Sequence, residues 1–374
     1  MGNLLNCKSK ECLYKVIRPA FYLTRLFGMA PYSLPEEIGT VEQQSSRALY
    51  AYSLIPLCIY TFMVGRTISH FKIPENFSIP LDIDRDSQWS KFFFTCCALI
   101  FSEASLLPML VNYFVLLVEL IMSIVRHKAI MSVWISILEF DQSVGLTTVG
   151  KTKGTSSEDS LVDKFKLYMW SIALISISGW SVISGTSMTT NFENIVDHFS
   201  YMLPYYGTYI AVFQFCGLAF LIGQRFKYLN ESVQASVDEG SSKSNNLQFI
   251  KMKELVHNSL IEASETLNQV YSWSLILYIF SKFCHTINNL YAVLRPDRIK
   301  SIKGIFCLTS WASMSTFELW ALHFVCEYTS EQANRFQYVL SKWHSIADAR
   351  GLCVSLQITY CRCDVFHPPH PKEF

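Results

Sequence analysis

A lysine in the middle of an otherwise apolar stretch is the residue with the most chemistry to account for. In YSWSLILYIFSKFCHTINNLYAVL, residues 271–294, Lys282 stands near the centre. Tyr278, Lys282, His285 and Asn289 recur at three- and four-residue spacing, so a helix places them on one face. An ammonium group in apolar surroundings is costly unless paired or hydrated, so that face must point into the protein or a wet cavity. Glu103 and Glu318 lie at similar depth in two other apolar stretches, and either could neutralise Lys282 as a buried charge pair. Trp180, Tyr205 and Tyr209 fall in the same half of their stretches as His285 and Asn289. Aromatic faces mixed with a few hydrogen-bonding groups suit a pocket for a small polar ligand, which makes these five the candidate ligand-binding residues. Tyr and Trp at such positions also serve as interface anchors, and the charge pair reads equally well as a structural one.

No Gly-rich phosphate loop or G-x-S-x-G elbow occurs, so no catalytic residue and no enzymatic activity is expected. Near the C-terminus, CRCDVFHPPH gathers Cys361, Cys363, His367 and His370, all of zinc-binding type. The C-x-C spacing departs from the usual C-x₂₋₄-C pairing, so neither a metal site nor a cofactor is expected.

The elements that must position these residues follow from composition. Half of the chain is apolar (51%), only 16% is charged, and the mean hydropathy is positive, at +0.24. A soluble domain of this length does not have that balance. The net charge of +1, with basic residues spread along the chain, excludes the basic stripe of a nucleic-acid binder. A membrane helix needs about 20 mostly apolar residues, and six windows qualify: 48–68, 92–118, 165–186, 201–223, 271–294 and 304–326. The expectation is an all-α polytopic membrane helix bundle of six spans. The sixth window carries Glu318, His323 and several hydroxyls, so it needs neighbouring helices to shield it.

Basic residues resist translocation, which orients the bundle. The segments on the side of the N-terminus hold 22 Lys and Arg and the opposite segments 7, so the N-terminus is expected in the cytosol. The short basic loop 295–303 runs against this count. No signal peptide is expected, because charges interrupt the apolar parts of the first 32 residues. MGNLLN begins like a myristoylation signal but has Asn6 where Ser or Thr belongs. Asn76, in NFS, is a candidate glycosylation site in an outer loop; a second match at Asn230 falls on the inner side. None of the twelve cysteines lies in an outer loop, so they read as buried or reduced thiols.

With the spans placed, LIGQRFKYLNESV (221–233), KELVHNSLIEASETLNQVYSWSLILYIFSKFCHTINNLYAVL (253–294) and CEYTSEQANRFQYVLSKW (326–343) resemble the second half of an insect gustatory receptor. IRPAFYLTRLFGMAPY (17–32) resembles that family's N-terminal segment, and the resemblance covers roughly residues 15 to 345. It implies a seven-span receptor at the plasma membrane with a cytosolic N-terminus. It also implies a homo- or hetero-tetramer with other receptor subunits that forms a cation channel opened by small-molecule tastants.

The layout expected is a cytosolic segment 1–47, a bundle 48–326 with inner segments 126–164 and 224–270, and a cytosolic helix and polar tail 327–374. By the resemblance, 224–270 and 327–346 tie subunits together. MKELVHNSLIEASETLNQVY offers Leu255, Leu260, Leu267 and Val270 as a stripe toward partner helices. The family's pore-lining seventh span ends in Thr-Tyr, five apolar residues and Gln-Phe. Here Thr359 and Tyr360 are followed by Arg362, Asp364, Pro368, Pro369 and Pro371, which cannot continue an apolar helix. The expectation is a truncated form that lacks the pore helix and carries no tastant-evoked current alone. The alternatives are a six-span transporter, which should show internal repeats that are not found here, and a G-protein-coupled-type receptor, which requires an outside N-terminus.

Overall fold

The computed structural model describes residues 18, 21–30, 47–70, 106–143, 167, 170–176, 178–183, 185, 195–238, 243–294 and 302–349. Among them there is no strand. Six helices dominate: α1 (Arg47–His70), α2 (Leu106–Val125), α3 (His127–Ser143), α4 (Ile195–Asp238), α5 (Lys243–Leu294) and α6 (Ile302–Ala349). Residues 170–176 and 178–183 are also helical. Glu103, Asn76, the loop 295–301 and everything after residue 349 lie outside the described residues.

Helix α4 is the axis of the bundle and packs against each of the other five. Its Met202–Ala235 stretch is, among the described residues, the one helix both long and apolar enough to cross a bilayer. Ala51–Arg66 and Leu110–Val125 are shorter apolar runs. The second half of α5 carries Lys282 and His285 and the first half of α6 carries Glu318, which lower their hydropathy although all three are buried.

The polar segments expected between the spans are not connectors. Residues 127–143 form an amphipathic helix whose Ile130, Val133, Trp134, Ile137 and Phe140 recur every three or four positions and are buried. Residues 224–238 prolong α4, and 243–270 are the first half of α5. At 1.5 Å per residue the 52-residue α5 is about 78 Å long, more than twice the roughly 30 Å of a hydrocarbon core. Helices α4, α5 and α6 therefore stand well clear of any bilayer they enter. The stripe assigned to partner chains is largely used within this chain: Leu260, Leu267 and Val270 are buried in its core, and Leu255 alone is open, at 72% exposure.

Lateral hydrogen bonds hold the long helices in register. Asn112 Nδ2 on α2 donates to Thr208 Oγ1 on α4 at 3.1 Å, and Ser281 Oγ on α5 donates to Asn112 Oδ1 at 3.1 Å. Between apolar helices such contacts replace the hydrophobic drive that lipid removes. Lower down, Arg225 on α4 grips Asp141 on α3 with two bonds of 3.1 and 2.8 Å. Helix α6 is held from two sides at adjacent carbonyls: Asn230 Nδ2 donates to Gln332 O at 2.7 Å, and His257 Nε2 to Ala333 O at 3.2 Å. Asn230, the inner glycosylation match, is thus a buried packing residue.

The segment 21–30 ends its short helix with Gly28 at φ +81°. Met29 N–H bonds Thr24 O at 3.0 Å and Gly28 N–H bonds Arg25 O at 2.9 Å, the Schellman pattern, which needs a left-handed residue. A Cβ on Gly28 would meet Pro56 Cγ at 3.1 Å and Leu120 Cδ2 at 3.2 Å. Gly28→Ala is therefore expected to destabilise by about 1–2 kcal/mol, seen as a lower thermal midpoint of the detergent-solubilised protein. An unchanged midpoint would refute this account of the turn.

His257 supplies a pH dependence. Its ring stacks on Phe336 at 4.1 Å, and burial lowers its pKa from 6.5 to about 4. As pH falls from about 6.5 toward 4, the unfolded chain takes up a proton that the folded chain does not, so stability falls by up to about 3 kcal/mol. His257→Gln keeps a donor but cannot titrate, and should flatten the thermal-midpoint profile over that window.

Candidate aromatic and charged site

Three helical pieces meet around one carboxylate. Glu318 on α6 is ion-paired through Oε2 with Lys282 Nζ on α5, and the two side chains are 2% and 3% exposed. Tyr278 OH, one turn from Lys282, donates to the same oxygen at 2.6 Å. Trp180 Nε1, from the 178–183 helical stretch, donates to Oε1 at 3.1 Å. The Lys282 ammonium also lies 5.0 Å from the Tyr278 ring centre and 5.5 Å from that of Trp180, within cation–π reach. Of the two carboxylates expected to compete for Lys282, Glu318 takes it; Glu103 lies outside the described residues.

An aromatic cage closes over this pair. Trp311 sits two turns before Glu318 on the same face of α6. Its ring is 5.1 Å from Trp180, 4.8 Å from Tyr205 and 5.4 Å from His285, the last nearly parallel at 9°. Tyr205 on α4 meets the His285 ring edge-on at 4.9 Å. Tyr206, Met314 and Cys307 complete the packing. Gly179 makes it possible, since a Cβ there would meet Met314 Sδ and Cγ within 3 Å.

Trp180, Tyr205 and His285 therefore converge with the charge pair into one cluster rather than forming a separate site. Asn289 stands one turn beyond His285 on α5. Tyr209 does not join the cage: one turn along α4 from Tyr205, its ring faces Phe213 at 6.1 Å within the main core. On this face of α5, His285 Nε2 and Asn289 Nδ2 are buried without a hydrogen-bond partner, as is Tyr209 OH on α4. Buried polar atoms are almost always satisfied, so two orphans on consecutive turns of one helix stand out. Sequence reading missed Trp311, Tyr206 and Met314. A helical wheel of α6 anchored on Glu318 would have brought out Trp311, which is seven residues away and so on the same face.

The carboxylate has three donors and the ammonium one counter-charge, which makes the two halves of the pair unequal. Glu318→Gln strands a buried cation and is expected to cost about 3–5 kcal/mol. Lys282→Met leaves the carboxylate with Tyr278 and Trp180 and should cost less. Thermal midpoints in detergent distinguish these outcomes, and equal small losses would mean that the pair does not anchor the cage.

No curated protein matches the chain in sequence. Among solved structures, the insect olfactory receptor OR5 from Machilis hrabei is similar with a TM-score of 0.60 over 90% of each chain at 14% identity, a likeness of fold. The family model described as 7tm Chemosensory receptor matches residues 17–358, nearly the whole chain. The family is one of multi-pass membrane receptors and not of enzymes. The protein is thus a member of the 7tm chemosensory receptor family.

Proposed function

We propose that the chain is a gustatory receptor subunit that binds a small polar tastant against the Trp180–Tyr205–Trp311 cage. The observation that carries this reading is the pair of orphaned polar atoms, His285 Nε2 and Asn289 Nδ2, beside those rings. A sugar or a bitter alkaloid presents hydroxyls or carbonyls for these atoms and a flat or weakly apolar face for the rings. The Glu318–Lys282 pair lies beneath them as the floor of the site, which holds the ring orientations and does not itself bind the guest.

The rest of the assignment follows the residues and the family. The subunit stands in the plasma membrane with its N-terminus and residues 1–47 in the cytosol, the side that carries 22 of the basic residues. Residues 48–326 form the spanning bundle and Asn76 is an external glycosylation site. Subunits assemble as a tetrameric ligand-gated cation channel, contributing Leu255 and its surroundings at the cytosolic end to the contacts between them. The open Leu255 supports that placement.

Purified full-length protein titrated with simple sugars and bitter alkaloids should show saturable binding to one of these classes, read as a raised thermal midpoint. His285→Phe, which keeps a ring in the stack but has no Nε2, and Asn289→Ala should each weaken it about tenfold, the loss of one or two hydrogen bonds. Tyr209→Phe, outside the cage, should leave binding intact. Variants at both positions that bind as tightly as the parent would remove the site.

A further inference from the structure

A cavity of about 490 Å³ opens between the α2–α3 turn and the middle of α5. It is lined by Val125, Arg126, Lys128, Thr266, Ser272 and Trp273, among others, and none of its lining residues is acidic. Arg126 donates through Nη1 to the Gln269 carbonyl, which fixes its guanidinium at the rim. Among the described residues no carboxylate pairs with either Arg126 or Lys128. Thr266 and Ser272 place hydroxyls in the same lining.

The level of this cavity is set by two helices independently. Residue 126 begins the polar segment after the second apolar window, and residue 271 begins the fifth window, so both walls reach the cytosolic headgroup level together in the proposed orientation. Trp273 (63% exposed) and Val125 (67% exposed) mark the same level on the outer surface. An exposed Trp beside basic residues is the signature of a membrane–water boundary. Toward the bilayer centre the flanking surface is apolar and open: Ile121 lies one turn from Val125 on α2, and Ile276 and Phe280 continue the exposed face of α5 from Trp273.

From this geometry we infer that the cavity seats the headgroup of an anionic phospholipid of the cytosolic leaflet, with its acyl chains along Ile121, Ile276 and Phe280. Arg126 and Lys128 bind the phosphate ester and the extra negative group, Arg126 through the N–H groups that Gln269 leaves unused. A choline headgroup lacks a second anionic group, so it leaves one of the two cations, which are the charged residues of the lining, without a counter-charge. The site shares no lining residue with the aromatic cage and lies nearer the middle of α5, so its argument does not rest on tastant binding. It rests on the proposed orientation only in naming the leaflet.

The test is native mass spectrometry of the full-length protein in detergent, titrated with palmitoyl-oleoyl phosphatidylserine or the matching phosphatidylcholine. The parent should retain the serine lipid in preference. Lys128→Gln should weaken that retention about fivefold, the factor to which about 1 kcal/mol per basic residue at an anionic surface corresponds. Adding Arg126→Gln should bring the loss to roughly thirtyfold by the same constant, with phosphatidylcholine retention unchanged. Because Arg126 also bonds Gln269, Lys128→Gln decides the matter if the double variant fails to fold. Equal retention of the two lipids by the parent, or an unchanged Lys128→Gln, overturns the proposal. Displacement by tail-less glycerophosphoserine at equal concentration also overturns it, by assigning the cavity to a free anion. An external N-terminal epitope on intact cells would reverse the leaflet and the orientation while the detergent result stands.

Discussion

The bundle is organised around a single carboxylate that has been taken out of water. Glu318 lies where neither solvent nor lipid can stabilise its charge, and three donors from two other helical pieces supply what water would have supplied. Each donor fixes something beyond the charge. Trp180 sets where the 178–183 stretch stands against α6, Tyr278 and Lys282 set the rotation of α5, and the rings stacked above them inherit those positions. An isolated ion of either sign here would cost several kcal/mol. The arrangement of α5 and α6 is accordingly as specific as a polar contact inside an apolar bundle can make it.

The remainder of the fold repeats this logic at lower cost. Single side chains bridge helices at successive levels: Asn112 with Thr208 and Ser281, then Arg225 with Asp141, then Asn230 and His257 on neighbouring carbonyls of α6. Between these levels the contacts are apolar, and α4 supplies a side chain to nearly every one of them. Hydrophobic packing sets how much surface is buried, while the few directional bonds select one register among the many that apolar surfaces permit.

Much of the site was legible before any coordinates. The costs of a charge in apolar surroundings required Lys282 to have a partner, and helical spacing put Tyr278 and His285 on its face. Depth counting reduced the partners to Glu103 and Glu318 but could not choose between them, because that depends on which helices are neighbours. Trp180, Tyr205 and His285 do meet, and the aromatic residue that joins them, Trp311, was hidden among the polar residues of the sixth window. Tyr209 has the same composition signal as Tyr205 yet its ring meets Phe213, since shared spacing fixes the face but not the level, and one turn along α4 the neighbours differ. In the inner segments the helical spacing of Leu260, Leu267 and Val270 was legible, but their partner was not: they pack within this chain, which depends on the neighbouring helices.

Helix α6 runs from Ile302 to Ala349 without a break, and Glu318 lies about 46 Å from its far end. Such a rod acts as a lever arm: a pivot of about 5° at the carboxylate would swing the tip by roughly 4 Å. Asn230 and His257 clamp the rod to α4 and α5 partway along, so the three shafts must swing together rather than slide past one another. A shift among the rings would thus be carried to the Ala349 end of α6, which runs unbroken between the two.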